Sequence, residues 1–181
     1  MENVAVDCGG QKKYGILIVD DHPLVREGLA QIIKCQADLY CCGEASTVNE
    51  VRKAIGSLKP SLITLDLQLL DGDGLELIKH LAVECPSTPV LVVTQCDEML
   101  YAERVLKAGA RGYVMKSRGT KEILGAIHIV LDGEFFVSPK IAALALHRMA
   151  GCKTKEIGGA LSNLSDRELQ VLQLLGAGIK T

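Results

Sequence analysis

Short apolar runs alternate along the chain with longer stretches in which apolar residues return every three or four positions. Ile16 to Val19 is the first run, and it ends in the acidic pair Asp20 and Asp21. Behind it Pro23 stands where a helix tolerates proline, in its first turn, and Val25, Leu29, Ile32 and Ile33 share one helical face. Leu39 to Cys42 predicts a second strand. Thr47 and Glu50 have capping-box spacing, and Val51, Ala54, Ile55 and Leu58 make the stripe of the helix they start. Leu62 to Leu65 predicts a third strand ending at Asp66. After the glycine-rich loop Asp71-Gly72-Asp73-Gly74, a helix turns Leu75, Ile78, Leu81 and Ala82 inward and stops near Pro86. Val90 to Val93 leads to Thr94, and a helix from about Asp97 is closed by Gly109 as its C-cap. Gly112 to Met115 leads to Lys116, and a helix from about Thr120 buries Ile123, Leu124, Ile127, Val130 and Leu131.

Five strand–helix units in succession predict an α/β fold, a five-stranded parallel sheet with helices on both faces, followed by a short helical tail. The strand runs are continuously apolar, as a sheet covered on both faces requires. In such sheets ligands bind at the carboxyl ends of the strands. Asp20, Asp21, Asp66, Thr94 and Lys116 each close a predicted strand, so all five are expected in one crevice. Residues 1–13 form an N-terminal arm, 14–133 the α/β domain, and 134–161 a linker with one helix, started by Ser138-Pro139 and bearing Ile141, Leu144 and Ala145. Gly151 to Gly159 is polar and reads as linker. Residues 162–181 begin another helical unit. There Ser165 and Glu168 repeat the capping-box spacing, Leu164 and Leu169 fit a hydrophobic staple, and the helix runs to Gly176 or Gly178.

Composition narrows this picture modestly. The 181 residues are 48% hydrophobic and 23% charged, ordinary for a globular protein. No apolar run reaches the roughly 18 residues that cross a bilayer, and the N-terminus lacks the basic start and apolar block of a signal peptide. A cytoplasmic location with no membrane partner is the expectation. Seven cysteines include no C-x-x-C pair and several lie in apolar runs, which argues against a zinc site or a disulfide framework. The net charge of −2 divides into +2 over residues 134–181, zero over 1–13 and −4 over 14–133. An acidic unit preceding a weakly basic one points to two jobs.

The crevice carries the chemistry. Three carboxylates at one sheet edge repel one another unless a cation sits among them, and a hard divalent ion such as Mg²⁺ suits oxygen ligands. A lysine neutralises a second anionic group, and a threonine hydroxyl adds a donor. Together these groups fit a phosphoryl group, for which a carboxylate can itself be the acceptor. An isolated Asp after a strand is ordinarily a loop residue or a helix cap, Lys116 alone a solvated charge, Thr94 alone a cap and Tyr113 alone a packing aromatic. The joint occurrence at four strand ends outweighs those separate readings.

The stretch Val19-Asp20-Asp21-His22-Pro23-Leu24-Val25-Arg26-Glu27-Gly28-Leu29 resembles the opening of receiver domains in two-component response regulators of the NarL/FixJ (LuxR-type) group. Asp66 with Gly74 eight residues on, Thr94, and Ala108-Gly109-Ala110-Arg111-Gly112-Tyr113-Val114-Met115-Lys116-Ser117 follow in family order, so the resemblance covers residues 14 to about 133. It implies a flavodoxin-like (CheY-like) receiver with Asp66 as phosphoacceptor. Mg²⁺ would be ligated by Asp21, Asp66 and the Gln68 backbone carbonyl, with Asp20 acting mainly through water. Lys116 would pair with the phosphoryl group, and Thr94 and Tyr113 would switch with it. The sequence departs from the family at Leu70, where receivers commonly have Pro, at Ser117, where many have a cis-Pro, and at Cys96, where relatives often carry His.

Leu164-Ser165-Asp166-Arg167-Glu168-Leu169-Gln170-Val171-Leu172-Gln173-Leu174-Leu175 resembles the first, scaffold helix of the LuxR-type helix-turn-helix domain. The recognition helix lies beyond Thr181 in that family, so DNA is expected as a partner only of a chain that carries those residues. The resemblance implies a sensor histidine kinase as phosphoryl donor, a homodimer formed on phosphorylation, and a transcriptional output. On this reading the protein is not an enzyme but a phosphoacceptor with at most self-dephosphorylation. Two alternatives stand beside it. A Mg²⁺-dependent phosphatase with an aspartyl-phosphate intermediate would place its nucleophile and a second Asp two residues apart on the first strand, whereas here the acids are adjacent and the nucleophile falls on the third. A receiver-type interaction module that needs no phosphate would lack one of the acids or the lysine.

Overall fold

The computed structural model describes residues 4–6, 12–150 and 168 of the chain. Its centre is a parallel sheet built as the strand–helix alternation predicts. The strands are β2 (Lys12–Val19), β3 (Leu39–Ala45), β4 (Leu62–Leu65), β7 (Val90–Thr94) and β8 (Gly112–Met115), in the order β3-β2-β4-β7-β8. Strand β1 (Val4–Val6) is a departure from the expected arm: it pairs antiparallel with Lys12 to Tyr14 at the start of β2. The first core strand therefore begins four residues before its apolar run, because β1 and β3 hold its polar start from both sides. β5 (Gln68–Leu69) and β6 (Gly72–Asp73) form a small antiparallel ladder within the expected loop after Asp66.

Alternate residues of β2 serve opposite faces. Ile16 and Ile18 join a core with Leu29 and Ile33 of α1 (Pro23–Lys34) and Ile123, Ala126, Ile127 and Val130 of α5 (Thr120–Leu131). Leu17 and Val19 join a second core, with Val51 of α2 (Val48–Leu58), Leu75, Leu77, Ile78 and Leu81 of α3 (Gly74–Glu84), and Tyr101, Ala102 and Val105 of α4 (Glu98–Ala108). Ile141 of α6 (Pro139–Met149) also packs there, while Leu144 is half-buried and Ala145 exposed. Two expected core positions differ. Ala82 is exposed at the rim beside Gly109, and Leu77 is buried in its place. Leu58 is 40% exposed because α2 covers the edge strand β3, where Leu58 lies over Gly43 at a spot too tight for a Cβ.

The predicted boundaries hold where a specific cap sets them. Thr47 Oγ1 accepts from Glu50 N at 3.2 Å, although the Glu50 carboxylate returns to Ser46 N at 2.7 Å rather than closing a reciprocal box. Gly109 ends α4 at φ 115°, a conformation that favours glycine. Ser138 Oγ accepts from Ile141 N at 3.3 Å at the start of α6. No helix among the described residues is long and apolar enough to cross a membrane. The linker Gly151–Gly159, the capping box at Ser165, the staple of Leu164 and Leu169 and the helix to Gly176 or Gly178 lie outside the described residues, except that Glu168 is helical.

Candidate functional site

Neighbours β3 and β4 leave β2 on opposite sides, and the chain opens a crevice at the carboxyl ends of these strands. Sheet hydrogen bonds carry the two central acids to that edge: Asp20 N donates to Ala45 O at 3.1 Å, and Asp66 N to Val19 O at 2.9 Å. Asp20 is 1% and Asp66 2% exposed, burial that a carboxylate tolerates only with partners. Asp20 Oδ1 accepts from His22 N at 2.9 Å, turning the chain into α1, where Pro23 needs no donor. One turn on, Arg26 Nη1 donates to Asp20 O at 2.7 Å.

Lys116 reaches both acids, with Nζ 2.6 Å from Asp20 Oδ2 and 2.6 Å from Asp66 Oδ2. Burial by itself would push this ammonium down, but its hydrogen bonds to Asp20 and Asp66 and their charges outweigh that and hold it above its ordinary value. The lysine thus relieves the repulsion expected among the carboxylates, though incompletely. Three carboxylates face one ammonium directly, with the Arg26 guanidinium held at the Asp20 backbone carbonyl behind them. Asp21 Oδ1 is buried and accepts no hydrogen bond, its close contact with His22 Nδ1 at 2.6 Å being an ion-pair distance only, and a cation there would offset the cost of its burial. Asp20, Asp21, His22 and Asp66 each offer a ligand atom, all within 4.8 Å of one another. An oxygen-rich, anionic set with an orphaned carboxylate oxygen fits a hard divalent ion.

The loop after Asp66 is held tightly despite Leu70, which is 82% exposed at its tip. Gln68 N donates to Asp66 Oδ1 at 3.3 Å, and Asp71 Oδ1 accepts from Val48 N at 2.9 Å, tying the loop to the start of α2. Gly74 has a steric reason for its place. A Cβ there would stand 2.6 Å from Leu67 Cα and 2.9 Å from Asp66 O, so only glycine lets α3 start against the Asp66 carbonyl.

Thr94 is fully buried at the end of β7, between β4 and β8, and its hydroxyl accepts from Cys96 N at 3.4 Å. Tyr113 is 2% exposed, and its hydroxyl donates to Cys96 O at 2.8 Å. Burial pushes this phenol far above its ordinary range, with the nearby Cys96 and Asp97 adding to it. Both hydroxyls expected to switch therefore meet on Cys96. The segment after Lys116 is joined to α4 through Arg118 Nη2, 3.4 Å from Glu98 Oε1. Cys35, Cys41, Cys42, Cys85 and Cys96 are reduced thiols, and burial pushes Cys42 up to about 11.

Sequence reasoning missed His22, Arg26 and Asp71. His22 and Arg26 stood in the quoted motif without a role; their signal is adjacency to the acid pair and one helical turn's distance from it. Asp71 carried no signal, because its partner lies in another element.

Fold order and site define a receiver-type α/β domain with a carboxylate–lysine crevice. Residues 16–128 match the response regulator receiver domain, and the chain belongs to that family. It is 33% identical over 161 residues to response regulator GacA of Pseudomonas aeruginosa, spanning 88% of this chain and 74% of the relative. Response regulator protein VraR of Staphylococcus aureus is 31% identical over 163 residues, spanning 90% and 76%. The crystal structure of a two-component response regulator of the LuxR family from Aurantimonas sp. superposes with a TM-score of 0.70 at 31% identity, covering 76% of this chain and 99% of that one.

Proposed function

We propose that the chain is the phosphoaccepting part of a two-component transcriptional regulator, with Asp66 taking a phosphoryl group from the phosphohistidine of a sensor histidine kinase. The observation that carries this reading is the ammonium of Lys116 held 2.6 Å from both Asp66 and Asp20, beside the buried Asp21 Oδ1, which accepts no hydrogen bond. A carboxylate oxygen of Asp66 attacks phosphorus; an O–P bond forms as the donor's N–P bond breaks, and the imidazole leaves with its electron pair and takes up a proton. Lys116, firmly protonated, turns from the carboxylate oxygens to the phosphoryl oxygens. Asp21, Asp66 and the Gln68 carbonyl would hold Mg²⁺ directly and Asp20 through water, and the ion would offset charge on the transferring group.

The Thr94 hydroxyl, on a long bond to Cys96 N, is free to exchange it for a phosphoryl oxygen. That exchange frees the amide of Cys96, whose carbonyl anchors Tyr113, and Tyr113 transmits the change to the face of α4 and β8. Two copies then pair and raise the affinity of a LuxR-type DNA-binding output, the domain whose first helix residues 164–175 resemble. The protein turns over no separate substrate; hydrolysis of its own acyl phosphate ends the signal.

Incubation with acetyl phosphate and Mg²⁺, followed by trapping of the acyl phosphate and mass spectrometry, should place the label on Asp66. Asp66→Asn should abolish it, and full labelling of that variant would overturn the assignment. Sedimentation with beryllofluoride should show the wild-type dimer.

A further inference from the structure

We propose that His22 is an additional ligand of the acidic pocket, so that the site holds a divalent ion that tolerates nitrogen, such as Mn²⁺, through imidazole as well as Mg²⁺ through oxygen. The proposal rests on the metal-binding reading of the pocket given above and extends it to a side chain that reading does not use. His22 Nδ1 lies 2.6 Å from Asp21 Oδ1 and 3.4 Å from Asp20 Oδ1. At the shorter distance the two atoms would ordinarily be a hydrogen-bonded pair, yet Asp21 Oδ1 has no hydrogen-bond partner. The two atoms stand at ion-pair distance with no hydrogen bond between them.

That is the disposition of two ligands of one ion. At metal–ligand bonds of about 2.1 Å, neighbouring octahedral ligands stand roughly 3 Å apart and opposite ones roughly 4.2 Å. The ligand atoms of Asp21, His22 and Asp66, together with that of Asp20, which would act through water, lie within 4.8 Å of one another, so rotamer-scale adjustment closes the first three on an ion. His22 is also spared the usual duty of its position. It is the N-cap of α1 but makes no side-chain cap bond, and its backbone alone fixes the turn through Asp20 Oδ1. With its side chain 55% exposed, the ring sits at the solvent lip, where an arriving ion would meet it.

The chemistry sets the selectivity. Mg²⁺ favours oxygen ligands and retains water, so it gains little from an imidazole; Mn²⁺, first in the transition-metal affinity order, gains more than Mg²⁺, and the later ions more still. Binding of Mn²⁺ and Mg²⁺ to the full chain should be measured by titration calorimetry, and the Mn²⁺ complex by pulsed electron paramagnetic resonance with protein labelled with ¹⁵N at histidine only. Wild type should show a directly coupled histidine ¹⁵N, displaced by excess Mg²⁺. His22→Ala should keep Mn²⁺ in the pocket but lose that coupling, with affinity for Mn²⁺ reduced about tenfold or more and affinity for Mg²⁺ changed far less. Because His22 makes no cap bond, this variant is expected to fold. Bound Mn²⁺ without histidine coupling, or coupling that survives His22→Ala, would overturn the proposal while leaving the acidic pocket intact. Asp21→Asn separates the two readings: if Mn²⁺ and Mg²⁺ bind it as tightly as wild type, the pocket itself is wrong and the histidine ligand falls with it.

Discussion

The two faces of the central sheet solve the same packing problem with different materials. Under α1 and α5 the buried cluster is aliphatic throughout, from Ile16 and Ile18 to Ile127 and Val130. Under α2, α3 and α4 the cluster also takes in Cys96, Tyr101 and Tyr113, and polar groups are buried nearby, with Tyr113 bonded to the Cys96 carbonyl and Glu98 to Arg118. An aliphatic interior has one close-packed arrangement and resists change. A face laced with single, exchangeable hydrogen bonds has discrete alternatives, which is what a switch requires. On the proposed function, stability and response are separated across a sheet one residue thick, by the alternation of side chains along its strands.

The largest effect should come from the aliphatic face. Ile127→Ala removes a fully buried side chain and should cost about 2–5 kcal/mol of unfolding free energy in denaturant titration. Acyl-phosphate labelling of the folded fraction should be unchanged. A loss of labelling beyond the loss of folded protein would erase the distinction between the faces.

On the other face, Tyr113→Phe strands the Cys96 carbonyl and should cost about 1 kcal/mol. Alkaline pH sharpens this comparison. In the unfolded chain the phenol loses its proton near about pH 10, whereas in the folded chain burial keeps it neutral to higher pH, so stability is intact below that point and declines above it. Lys116, whose folded value is also raised, adds a decline of the same sign above about pH 10.4. Unfolding free energies measured from pH 9 upward should fall less steeply in Tyr113→Phe than in wild type; equal slopes would show that the phenol is not buried as described.

The smallest effect concerns the tie between the Asp66 loop and α2. Asp71→Ala removes an exposed acceptor from Val48 N and should cost about 0.5–1 kcal/mol, with faster hydrogen exchange at the Val48 amide. Unchanged exchange there would mean that the loop is held by the β5–β6 ladder alone.

Much of this molecule was readable from the order of its residues. Periodicity and caps are local properties, so Leu62–Leu65, Gly112–Met115 and the end of α4 at Gly109 coincide with their expected limits. The crevice residues were readable because a parallel sheet places all its strand ends along one edge, and Asp20, Asp66, Thr94 and Lys116 stand there as expected. Tertiary structure alone decided the rest. Whether Ala82 or Leu77 is buried depends on which neighbour covers α3, and β1 exists through pairing with Lys12–Tyr14 rather than through any apolar run. That Lys116 bridges Asp20 and Asp66, that Thr94 and Tyr113 meet on Cys96, and that His22 stands 2.6 Å from a buried Asp21 oxygen are distances between residues remote in sequence or set by a turn. Sequence specifies such groups by type, but only the packed sheet and helices bring them within bonding range.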